Sequence, residues 1–149
     1  MEPEFTEIQH FRQKWLWAIL FTVTAVSTYF SVINQGLRSG LIVILLMTPI
    51  LISLYKAKLV TKIRDNKLSY QFYPFHLSER EINLDERKIE VTDYSPLKEF
   101  GGWGLRWRPG KIAFSVSGSK AIRINSDEGR EIVLGTQKPE EVKEAVRDK

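Results

Sequence analysis

Residues Phe100 to Gly110, FGGWGLRWRPG, set four glycines, two tryptophans and two arginines in eleven positions. Such a mixture suits a phosphate cradle, an aromatic-basic surface for lipid or nucleic acid, or a turn. A dinucleotide fingerprint needs a third glycine after Gly102-x-Gly104, but Trp107 stands there and no helical pattern follows. The Gly-Lys-Ser/Thr of a P-loop is absent. Gly101 and Gly104 form a GxxG, but a KH loop joins helices and this one leads into a strand pattern. Gly101, Gly102 and Gly104 therefore read as a sheet bulge or corner, with Trp103 packed over the bare backbone as a lid. Beyond them, Arg106, Arg108 and Lys111 alternate with Trp107 and no acid. That makes a compact cationic tip at Pro109-Gly110, fit for anionic head groups or a protein partner, or else an ordinary solvated hairpin end.

Other candidates for chemistry are sparse. The chain has no cysteine, which removes disulfides and thiolate chemistry. His10 and His76 stand far apart and outside any ligand spacing, so no metal site is expected, and His76 reads as a strand-end or loop residue. The acids Glu79, Glu81, Asp85 and Glu86 alternate with Arg80, Arg87 and Lys88, as in a charged edge that keeps a sheet from sticking to itself. No activated serine, HExxH or apolar carboxylate pair is present, so no catalytic residue and no cofactor are expected. Residues 56–149 hold 19 Lys/Arg against 15 Asp/Glu, too mild an excess for a nucleic-acid partner.

The elements that must position these residues begin with two apolar runs. No charge interrupts the 23 residues between Lys14 and Arg38, or the 17 between Arg38 and Lys56. A bilayer core of ~30 Å needs about 20 apolar residues in a helix, so both runs read as spans. Ala25-Val26-Ser27 is a passable signal cleavage site, but the apolar run continues past it and a second follows, so a retained helix is expected. Pro49 is tolerated in a membrane helix more readily than in a soluble one. The expected organisation is a cytoplasmic segment at 1–14, helices at 15–34 and 40–55 around a loop at 35–39, and a β-rich domain at 56–149. The hairpin tip carries only Arg38, while Arg12, Lys14, Lys56, Lys58, Lys62 and Arg64 flank the other side. The positive-inside rule then puts both termini in the cytoplasm of a multi-pass cell-membrane protein, with Trp15, Trp17 and Tyr55 in an interfacial belt.

From Leu59 the pattern alternates. Leu59, Thr61 and Ile63 share one strand face, and Leu68, Tyr70 and Phe72 share another, around a turn at Asp65-Asn66. REINL, KIEVTDYS and KIAFSVSG repeat the theme. KAIRIN and EIVLGT form a hairpin around Ser126-Asp127-Glu128-Gly129. Pro139 opens a C-terminal helix over about 139–148, with Glu140 and Glu141 at its positive end and Lys143, Arg147 and Lys149 toward its negative end. Val142, Ala145 and Val146 make a stripe that needs a sheet to cover it. Six or seven strands and one helix predict an α+β membrane protein whose helix closes a bent antiparallel sheet or small barrel.

FGGWGLRWRPG, AFSVSG and VLGTQKPEEV together resemble a largely uncharacterised family of small prokaryotic membrane proteins, over about Leu59 to Lys149. In that family a two-helix hairpin precedes a domain of the pleckstrin-homology (PH) superfold. Phe100 departs from a common tyrosine and removes one hydroxyl contact. The resemblance implies fold and topology, and it carries no activity. The expectation is a non-enzymatic, membrane-anchored interaction module that binds a membrane protein at the cytoplasmic face. Two alternatives stand beside it: an anionic head-group sensor using Arg106 to Lys111, and an accessory subunit of a membrane enzyme or transporter.

Overall fold

The computed structural model describes residues 5–85, 87, 89–125 and 129–147, the last without its side chain. Glu86, Lys88, Ser126-Asp127-Glu128, the Arg147 side chain, residue 148 and Lys149 therefore lie outside the described residues. The chain divides into a helical unit, Phe11–Ala57, and a β unit made of Met1–His10 with Lys58–Lys149.

In the helical unit α1 (Lys14–Gln35) and α2 (Leu37–Lys56) run antiparallel, and both are long and apolar enough to cross a membrane. The expected five-residue loop shrinks to Gly36, whose φ of 87° lets α2 start at once. Near the turn the small Gly40 lets the helices approach at Val32 and Thr28. Three threonines within the apolar runs bond their own helix, Thr24 to Leu20 O, Thr28 to Thr24 O and Thr48 to Ile44 O, while the Ser39 hydroxyl donates across the hairpin to Ser31 O. Trp17 packs edge-on to Tyr55 at 6.2 Å, which closes the far end of the hairpin.

The β unit holds two sheets. The first runs β1 (Phe5–His10), β2 (Lys58–Arg64), β3 (Lys67–Tyr73) and β4 (Arg80–Asn83), all antiparallel. Asp65 and Asn66 take φ of 46° and 59°, the geometry of a two-residue hairpin turn. Leu59, Thr61, Ile63, Leu68, Tyr70 and Phe72 are buried, as their alternation requires. The strand β1 was not legible in the sequence. It precedes the helical unit in the chain yet pairs with β2, which follows that unit.

The second sheet has the order β5 (Ile89–Asp93), β8 (Lys120–Asn125), β9 (Glu131–Thr136), β7 (Lys111–Ser115), β6 (Gly104–Arg108). Its β7 and β9 are parallel, so the expectation of an entirely antiparallel sheet fails. The hairpin β8-β9 occupies the interior beside β7, which explains why β7 is buried on both faces through Ala113, Phe114 and Ser115. One face meets the first sheet, where Phe114 lies 5.2 Å from Tyr70 and 6.0 Å from Phe72. On the other, α3 (Pro96–Phe100) completes a cluster of Tyr94, Phe100, Ala113, Ala121 and Val133.

The C-terminal helix α4 (Pro139–Arg147) buries Val142 completely and packs against β1, β5 and β8. These include the edge strands opposite β4 and β6 in the two strand orders. Close packing leaves no room at Gly135 of β9. An added Cβ there would stand 2.9 Å from Ser115 Cβ and 3.2 Å from its Cα. Gly135→Ala is expected to cost about 1–3 kcal/mol through overpacking. The check is a lower urea midpoint at unchanged slope for the detergent-solubilised chain.

Candidate interaction site

The glycine-rich stretch divides into a helix cap and a strand. Pro96 starts α3 and Glu99 returns a carboxyl oxygen to the Ser95 N–H at 3.3 Å. The helix stops at Gly101, where φ is 73°; its N–H donates to Leu97 O and the next, from Gly102, to Pro96 O at 2.9 Å. Only a residue at ease with positive φ closes a helix this way. The expected corner at Gly101, Gly102 and Gly104 is therefore present, but Trp103 is not its buried lid. Trp103 is half-buried and donates its indole N–H to Gly118 O at 3.3 Å. The group over Gly102 is the Arg106 guanidinium, 3.2 Å from where a Cβ would sit.

Strand geometry keeps Arg106, Arg108 and Lys111 on one face and sends Trp107 to the other. Arg106 and Arg108 share one face of β6, while Leu105 and Trp107 share the other. Lys111 pairs with Glu131 at 2.6 Å, Glu131 with Arg123 at 3.3 Å, and Arg123 with Glu99 at 2.7 Å. So Lys111, across from Arg108, already has an acid partner, and Trp107 stands apart from the three cations.

Beside β6 lies an open cleft of about 910 Å³ that the sequence did not reveal. Cross-strand register places Leu105 beside Phe114, Trp107 beside Ile112, and Ile112 beside Ile132, which makes an apolar wall. Tyr70 and His76 continue it, with His76 5.1 Å from Phe114 and 6.1 Å from Tyr70. Around that wall stand Arg80, Arg87 and Arg130, with Glu81 and Asn83. Glu81 pairs with Lys67 at 3.7 Å. Part of the expected charged edge thus serves another surface: Glu79 pairs with Lys62 at 3.1 Å, whereas Arg80 and Arg87 line the cleft. His76 is a loop residue as expected, and its ring also packs against Tyr70 and Phe114.

These ionic contacts tie stability to pH. The Ser69 hydroxyl, then Lys62, hold the Glu79 carboxyl below its ordinary value. The Arg123 hydrogen bond does the same for Glu99. Burial works the other way on Glu131 and is outweighed by Lys111 and Arg123. Burial, then the Arg80 charge, lower His76. In all four cases the unfolded chain binds more protons, so each contribution is complete above the unfolded value and lost as pH falls through the folded one. Acidification should weaken the fold first below about 6.5, through His76, and again below about 4.3, through the carboxylates. Urea midpoints at graded pH check this, and His76→Gln should remove only the upper step.

Among the described residues no His, Asp and Glu side chains gather into a group able to hold a metal. No family model, curated protein or solved structure matches the chain.

Proposed function

We propose that this protein is a membrane-anchored interaction module, non-enzymatic, in which a two-helix hairpin holds a PH-like domain at the cytoplasmic face to engage a protein partner. The observation that carries it is the pairing of β1 with β2 across the helical unit in sequence. A chain that leaves one sheet and returns to it must cross a bilayer an even number of times, and two apolar helices lie between. Their large apolar side chains, among them Phe21, Phe30, Leu41 and Leu45, are exposed, which suits lipid and not water. The two packed sheets and α4 support the PH-like reading in layout, while the parallel β7-β9 pair departs from an antiparallel bend. Exposed Leu105 and Trp107 on β6 favour a protein partner. Head-group sensing by the 106–111 tip is the weaker reading, since Lys111 holds Glu131 and Arg106 lies back over Gly102.

The test is made in native membranes. The protein should resist alkaline extraction, and a reporter fused after Lys149 should read as cytoplasmic. A photocrosslinker at Trp107 should give one dominant protein adduct, while one at Thr6 should give none. Extraction in alkali or an external reporter refutes the anchoring, and adducts only to lipid refute the protein partner.

A further inference from the structure

We infer that the cleft beside β6 receives an extended, acidic segment of a partner protein, added as a strand to the open edge of β6. This rests on the interaction-module reading and names the chemistry of the partner. Three observations carry it. First, β6 ends its sheet, so among the described residues no strand lies beside the outer backbone groups of Gly104–Arg108. A row of N–H and C=O groups of this kind is a template for another chain. Second, the face of β6 toward the cleft shows Leu105 and Trp107, the latter 72 % exposed, beside Ile112 and Ile132. A strand laid along β6 would set every second side chain on that apolar wall. Third, the described charges lining the cleft are Arg80, Arg87 and Arg130 against Glu81. Arginine forks suit carboxylates, and their position around an apolar wall selects a segment that interleaves acids with apolar residues. The helix α4 packs at the opposite edges, on β1 and β5, which leaves this end of the two sheets as the open one.

An anionic lipid would also meet arginines and an apolar wall, but it has no use for the free strand edge, and the segment uses all three features. The experiment selects a randomised decapeptide library on the full chain in zwitterionic nanodiscs. Enriched peptides should interleave Asp or Glu with apolar residues at every second position. Trp107→Ala and Arg80→Glu/Arg130→Glu should each weaken a selected peptide by about tenfold or more. N-methylation of its alternate amides should abolish binding if the backbone pairs. Thermal midpoints matching the parent confirm that the variants are folded. Three results overturn the inference: enriched peptides without acids, peptides bound equally by the variants, or an N-methylated peptide bound as tightly as its parent. Displacement by short-chain phosphatidylglycerol, with no peptide enriched, also overturns it and gives the cleft to lipid. A Trp107 adduct in native membranes with no peptide enriched leaves the module reading standing and removes this one.

Discussion

Phe114→Ala is expected to destabilise the β unit by about 3–5 kcal/mol, a large share of the 5–15 kcal/mol typical of a whole domain. Phe114 is 3 % exposed, and Tyr70, Phe72 and His76 all have ring centroids within 6.0 Å of its own. Through it β7 packs on the first sheet. Truncation loses the transfer energy of the ring and leaves a hole between two hydrogen-bonded sheets, which cannot close around it without breaking their ladders. Phe114→Leu keeps most of the volume and should cost less than about 1.5 kcal/mol. Urea titration of the detergent-solubilised chain, followed by tryptophan fluorescence, reads both. Far-ultraviolet helicity should survive in the alanine variant, because α1 and α2 belong to a separate unit. A loss below about 1 kcal/mol would place Phe114 among ordinary substitutions and deny that the sheets share a core there.

The difference between what could and could not be read from the sequence follows from how each feature is encoded. The apolar helices are continuous composition, and β2 and β3 are clean alternation around Asp65-Asn66, so both were legible. The strand β1 inverts the usual code: Glu7 and Gln9 point inward and Ile8 is 55 % exposed, so FTEIQH shows no apolar face to a reader of hydropathy. The short helix α3 was hidden inside a strand-like passage, although Pro96 and Gly101 mark its two ends. The cleft has no motif because its walls come from separate segments joined only by cross-strand register. The stretch from Arg106 to Lys111 was legible only in part. The strand sends Trp107 to one face and keeps Arg106, Arg108 and Lys111 on the other, where Lys111 is taken up by Glu131.

Glu7→Ala is expected to cost about 3 kcal/mol, because it strands a buried hydroxyl and a part-buried N–H and does not merely delete a contact. Glu7 is 5 % exposed; one carboxyl oxygen accepts the Thr136 hydroxyl at 2.6 Å and the other accepts the Gln137 N–H at 2.8 Å. Alanine leaves the buried Thr136 hydroxyl and the part-buried Gln137 N–H without their acceptor, whereas Thr136→Val removes one donor to Glu7 and the acceptor of the Lys138 N–H and should cost about 1–2 kcal/mol. If the two act as a pair, the double variant should lose less than the sum of the singles, by about 0.5–3 kcal/mol. Gln9 strengthens the same seam by donating to Gly135 O at 2.7 Å, so Glu7 and Gln9 together bind β1 to the end of β9. The consequence reaches beyond stability. Because β1 enters the helical unit and β2 leaves it, releasing β1 would hold the β unit through β2 alone and bare the edge of that strand. Glu7→Ala should therefore raise protease cutting ahead of Lys14 and promote aggregation in micelles, with the helices still intact. If Glu7→Ala were as stable as the parent and uncut there, β1 would not be the strand that fixes the chain on both sides of the hairpin.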